Sequence, residues 1–209
     1  MRVVAIASQK GGSGKSTITI HLAALAELQG IKTLIADMDE HSQTSTEWGK
    51  MREQSTPLVA RVPLDKLEGM LVQAKEKGFE LVLLDLPPFV NEVVQEVTKR
   101  ADLTLVPTRP FFPDMRTLPR IIKQIHPPFS VILNACPPGN NNQESSKTSN
   151  ARKLLDKNMV PVCPVSITQR VALTDALNGG ESVNEFDPQS KAATEIKKLL
   201  AWVNAETQK

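Results

Sequence analysis

The chain reads as an α/β protein with a doubly wound, mostly parallel sheet flanked by helices, and three observations carry that reading. Short β-branched runs alternate with longer amphipathic segments along the whole sequence. The runs are bounded by turn signals and one helical pattern lies between each pair, which marks βαβ units covered on both faces. A glycine-rich stretch, Ser8 to Thr17, directly follows the first run and opens the first helix. Right-handed crossovers in such a sheet put ligands at the carboxyl ends of the strands.

In chain order, the strand runs are residues 3–7, 33–36, 81–84, 103–106, 131–133 and 160–165. The helical patterns cover 15–29, 64–77, 91–100, 114–124, 149–157, 169–177 and 189 to about 205. The polar stretch PPGNNNQESSKTSN, 137–150, reads as a long surface loop. No repeat or linker interrupts the pattern, so a single domain over residues 1–209 is expected. Hydrophobic content of 40% and charged content of 23% suit a soluble globular protein. A net charge of +2 leaves any nucleic-acid affinity to local patches. Cys136 and Cys163 form no CxxC or Cys/His cluster, so they read as small buried hydrophobes in a reducing cytosol. No run approaches the length of a membrane span or a signal peptide, and a cytoplasmic location is expected.

Gly11, Gly12, Ser13, Gly14, Lys15 and Ser16 lie between a strand and a helix, the context a phosphate-binding loop needs. Backbone N–H groups of such a turn point inward and cradle phosphate oxygens at a helix N-terminus. Lys15 would neutralise the β- and γ-phosphates, Ser16 would complete a Mg2+ shell, and Thr17 would reach the α-phosphate. Gln9 stands where the full G-x-x-x-x-G-K-[ST] pattern has its first glycine. Further on, the apolar strand LVLLD ends in Asp85, which places a carboxylate in the crevice to hold a magnesium-bound water.

The string KGGSGKST, from Lys10 to Thr17, resembles the deviant Walker A motif of the ParA/MinD superfamily of P-loop ATPases. That resemblance implies binding of ATP or ADP with Mg2+ and closure of two subunits face to face around two nucleotides. It gives Lys10 a role across the dimer, where a cation delivered in trans stabilises transition-state charge. It makes Asp39, in the D-M-D segment, the group that positions the attacking water, with Asp37 as a supporting group near the metal. Glu40 and His41 stand where the family has Pro-Gln. Pro87 and Pro88 match the D-x-P-P after Asp85, and Pro107, Thr108, Pro110 and Asp114 match a V-P-x-x-P-x-x-x-D segment. Asn134 corresponds to an asparagine facing the adenine edge, and backbone from Pro164 to Ile167 to the other wall of the base pocket. Ile167, Arg170, Ala176, Gly180 and Val183 match a tail segment. Arg170 there is open between a dimer or DNA contact and a surface residue at a helix start.

Within the superfamily the resemblance lies nearest the small, ParF-like partition ATPases. The chain opens on the phosphate strand, so the helix-turn-helix extension of larger ParA proteins is not expected. It has no tyrosine for a kinase tail and no bridging cysteines for a nitrogenase-like cluster. A MinD-type tail lies on a membrane. Here Ile196, Leu199, Leu200 and Val203 keep the spacing of a core-docked helix, and the end is polar. The expectation is an ATP-dependent homodimer that binds DNA non-specifically and associates with the nucleoid. Arg170, Lys191, Lys197 and Lys198, with Arg152 and Lys153, are the candidate phosphate contacts. A ParB-like centromere-binding or cargo-adaptor protein would stimulate hydrolysis. The alternatives are a MinD-like membrane-associated positioner and a positioner of a non-DNA cargo.

Overall fold

A computed structural model of the chain describes residues 1–88, 92–140 and 143–208, with only the backbone at 92 and 93. In order, the elements are β1 (Arg2–Ile6), α1 (Lys15–Leu28), β2 (Thr33–Asp37), α2 (Thr44–Met51) and β3 (Leu58–Arg61). A 3-10 turn (Leu64–Lys66) leads into α3 (Leu67–Glu76), followed by β4 (Leu81–Asp85), α4 (Glu92–Thr98) and β5 (Leu103–Thr108). Then come α5 (Phe112–Met115), α6 (Leu118–Ile122), β6 (Phe129–Leu133), α7 (Ser146–Lys157), α8 (Val171–Asn178), α9 (Val183–Phe186) and α10 (Lys191–Glu206).

The strands form one parallel sheet in the order β3-β2-β4-β1-β5-β6. Side chains alternate across each strand, so each feeds two cores. Val4, Ile6, Ile35, Leu81, Leu83, Leu103, Leu105 and Ile132 meet α1, α8, α9 and α10 on one face. Val3, Ala5, Ala7, Leu34, Ala36, Val82, Leu84, Val106, Val131 and Leu133 pack with α3, α4, α6 and α7 on the other. This is the doubly wound sheet that the sequence predicts.

The last helix is core, not appendage. Ser190 caps it by accepting from the Ala193 N–H, and Ile196, Leu199, Leu200 and Val203 are buried in the layer that contains α1. Burial of those four side chains contributes roughly 6–12 kcal/mol at 1.5–3 kcal/mol each, an upper estimate. Lifting this face away would leave the matching surface of α1 uncovered.

Several predicted elements differ. The run 160–165 is not a strand. Val162 bridges Val131 and Cys163 N–H reaches Val131, but Pro161 and Pro164 offer no N–H to continue a ladder. The pattern 114–124 divides into α5 and α6, because Pro119 lacks the donor and crowds the preceding turn. The loop 137–150 is shorter than predicted, since Ser145 caps α7 and the helix begins at Ser146; residues 141 and 142 lie outside the described residues. Asn91, the predicted start of the third helical pattern, is also outside them. The strand β3 and the helices α2 and α9 are absent from the sequence reading altogether.

Candidate functional site

The site assembles where five strands end. The first turn of α1 begins at Gly14, whose φ of 96° lies in the left-handed region that glycine adopts freely. A Cβ there would sit 2.1 Å from Asn134 Nδ2, so a side chain is excluded twice over. Asn134 follows β6 and its amide donates to the Ser13 carbonyl at 2.7 Å. From the end of β5, Arg109 Nη2 donates to the Gly12 carbonyl. Inside the loop the hydroxyls of Ser8 and Ser13 share a short, buried hydrogen bond.

The two lysines of the loop are in different surroundings. Lys15 is only 7% exposed; burial lowers its pKa, opposed by the charges of Asp85 and Asp39. Lys10 is half-exposed at the mouth of the loop and its Nζ lies 3.5 Å from Asp114 Oδ1 on α5. Asp114, matched in the sequence as part of a motif, thus has a partner within the loop.

The carboxylates converge from neighbouring strands. Asp37 and Asp85 are paired in register at the ends of β2 and β4. Asp85 is 1% exposed, and burial raises its pKa to about 6, with hydrogen bonds from Ser45 and Ser16 working the other way and the charge of Asp37 adding to the rise. Ser45 Oγ donates to its Oδ2 at 2.7 Å, while Oδ1 is buried with no hydrogen-bond partner among the described residues. Asp37 accepts from Asp39 N–H and from both the N–H and hydroxyl of Thr46, so it also anchors the first turn of α2. Asp39 accepts from His41 N–H, Ser42 N–H and the Ser42 hydroxyl. Burial works against its charge, but those hydrogen bonds and the Lys15 charge prevail and hold its carboxyl below the usual range.

No group of three or more His, Cys, Asp or Glu among the described residues is arranged to hold a metal by itself. Mg2+ keeps waters and phosphate oxygens in its shell and takes only one or two protein ligands. The Ser16 hydroxyl beside Asp85 and the unpartnered Asp85 Oδ1 supply hard oxygen donors of that kind.

The remaining predicted residues are more dispersed. Pro164 and Ile167 lie on the segment beside β6, with Ile167 N–H donating to Leu133 O and the Pro164 carbonyl near Arg152. Arg152 is committed to Glu144 and the Cys163 carbonyl, and so is a structural residue and not a free cation. Arg170 precedes α8 and pairs with Glu195 on α10. Lys197 reaches the Pro188 carbonyl, while Lys191 and Lys198 are exposed on α10. Cys136 and Cys163 are buried and free, and burial pushes their thiols to about 11 and about 12, which keeps them protonated. Sequence reasoning missed Ser45, Thr46 and Arg109. The first two form part of a Thr-Ser-Thr-Glu helix start just past Asp39, a signal that was present in the residues.

Comparison with known proteins agrees with this geometry. The family model described as the CobQ/CobB/MinD/ParA nucleotide binding domain matches residues 4–183. The chain is 29% identical to the chromosome-partitioning ATPase Soj of Thermus thermophilus over 137 residues, 52% of this chain and 55% of that protein. It thus spans about half the length of that relative. It is 24% identical to the maintenance of carboxysome distribution protein A of Halothiobacillus neapolitanus over 209 residues, 94% of each. The fold superposes on the septum site-determining protein MinD of Pyrococcus horikoshii, solved with Mg-ADP, with a TM-score of 0.74, 18% identity and coverage of 97% and 95%. A phosphate-loop architecture with acidic strand ends, matched over most of its length by one family model, makes this chain a member of the CobQ/CobB/MinD/ParA nucleotide-binding family.

Proposed function

We propose that the chain is a ParA-type ATPase that works as an ATP-dependent homodimer to segregate or position a cargo, with plasmid or chromosomal DNA as that cargo. The observation that carries this reading is the separation of the two lysines. Lys15 is buried in its own loop, whereas Lys10 sits at the rim, 3.5 Å from Asp114. A lysine at the rim is placed to meet a facing subunit.

In this reading Lys15 and the N–H groups of residues 11–17 hold the phosphates, and Asn134 with the 164–167 backbone holds the base. Ser16 and Asp85 would hold Mg2+, with Asp37 behind them; the ion neutralises phosphate charge when bound. Asp39, kept ionised by Ser42 and His41, accepts a hydrogen bond from the attacking water and so orients it. Lys10 of the second copy adds charge at the transferring phosphate. A ParB-like centromere-binding or cargo-adaptor protein stimulates turnover, and exposed lysines on α10 contact DNA phosphates.

A non-DNA cargo is the second reading, favoured by the end-to-end match to the carboxysome distribution protein. Burial of the apolar face of α10 weighs against a membrane-lying tail, and no helix among the described residues is long and apolar enough to cross a membrane. The test is co-sedimentation of the ATP-loaded protein with plasmid DNA and with anionic liposomes. Pelleting with DNA alone is expected; pelleting with liposomes alone overturns the proposal, and pelleting with neither favours the second reading. Lys10→Ala should retain ATP binding and lose the ATP-dependent dimer in analytical ultracentrifugation.

A further inference from the structure

The phosphate loop has two carbonyls tied to side chains outside it. A trans peptide is planar, with its C=O and N–H on opposite sides. When Asn134 holds the Ser13 carbonyl, the Gly14 N–H is turned the other way. When Arg109 holds the Gly12 carbonyl, the Ser13 N–H is turned the other way in the same manner. Among the described residues neither of these N–H groups has a protein acceptor. Gly12 and Gly14 hold φ at +70° and +96°, and without a Cβ neither glycine by itself bars the reversed peptide. Some external tie therefore has to choose the orientation.

The two ties share one support. Asn134 N–H donates to the Thr108 carbonyl at 2.9 Å, so the residue before Arg109 and Asn134 itself are joined at the ends of β5 and β6. The loop is gripped from one rigid sheet edge.

We propose that Arg109 is a positioning residue for nucleotide binding, its guanidinium holding the Gly12 carbonyl outward so that the Ser13 N–H faces a phosphate. The inference rests on the nucleotide-binding reading of the site. Because it acts through a backbone amide, Arg109 serves ADP and ATP alike. Its function is the hydrogen bond, and lysine, a donor that ends one atom short of the guanidinium nitrogens, replaces part of it.

The test is titration of wild type, Arg109→Ala and Arg109→Lys with fluorescent ADP and ATP analogues, with thermal unfolding as the check on folding. Loss of one charge-assisted hydrogen bond predicts about tenfold weaker binding of both nucleotides by the Ala variant. The Lys variant should recover part of that loss, and the unfolding midpoint of each variant should stay near wild type, since Arg109 is exposed. Equal binding by the Ala variant and wild type overturns the role. So does a loss confined to ATP, which would make Arg109 a direct charge contact to the terminal phosphate. Failure of the wild-type protein to bind either analogue would instead overturn the nucleotide-binding reading, and this role with it.

Discussion

Gly14 shows how much one residue carries here. Its left-handed backbone starts α1, and its missing Cβ lets Asn134 approach the loop. Gly14→Ala should cost about 1–2 kcal/mol from the left-handed conformation alone, and more as Asn134 is displaced. Urea unfolding measures the first effect and nucleotide titration the second; an unchanged midpoint with normal ADP affinity would contradict this account of the loop. Gly180, matched in the sequence as a motif residue, has a similar explanation. With φ at +72°, its Cβ would fall 2.8 Å from the Met51 carbonyl at the end of α2.

Among the elements, α2 joins the site to the helical layer. Its N-terminal turn is tied to Asp37 through Thr46 and to Asp85 through Ser45. Just beyond its C-terminus Arg52 forms a buried ion pair with Glu185 and donates to the Gly180 carbonyl, and its guanidinium stacks over Trp48. Glu185→Ala leaves a buried guanidinium without its counter-ion and should lower unfolding free energy by about 3 kcal/mol; a loss below about 1 kcal/mol would show the pair to be solvated. The helix α1 is tied to the same layer by His21, whose Nδ1 accepts from Val183 N–H while Nε2 faces the Leu173 carbonyl. Burial pushes its pKa down from 6.5 to about 4, so the folded protein keeps the ring neutral where the unfolded chain protonates it. The stability carried by the neutral ring is therefore full above pH 6.5 and is lost as pH falls towards 4, at about 1.4 kcal/mol per unit. Urea unfolding at pH 7 and pH 5 should reveal this. In His21→Gln, which keeps a donor and an acceptor, the difference between the two pH values should shrink by about 2 kcal/mol.

At the scale of the whole molecule, the topology places every acidic strand end and the phosphate loop on one rim of the sheet, while α10 lies across the face that carries α1. Positive charge available to DNA is sparser than the sequence suggests, because Arg152 and Arg170 are ion-paired and Lys197 is held by a backbone carbonyl. Lys191 and Lys198 are left as the exposed candidates on α10. Replacing both by Glu should weaken DNA binding by the ATP form at low salt and flatten its salt dependence by about two phosphate contacts, without changing ADP affinity. Filter binding across a salt series reads both quantities, and an unaltered slope would move the DNA surface elsewhere.

The sequence by itself determined the sheet class, five of its six strands, the phosphate loop, the acidic strand ends and the buried stripe of α10. Each rests on local information: a period of apolar residues, a glycine spacing, or one residue at the end of a run. It did not determine β3, a four-residue edge strand too short to show a period, nor α2, whose Thr-, Ser- and Gly-containing turns are weak helix formers. It also predicted a strand at 160–165 that two prolines prevent from pairing. Only the tertiary structure decided that Asp37 supports α2 as well as standing beside Asp85, that Lys10 rests on Asp114, and that Arg109 and Asn134 grip the loop. These contacts join residues from nine to more than a hundred positions apart, or depend on which way a peptide faces, and neither property is written in a local pattern.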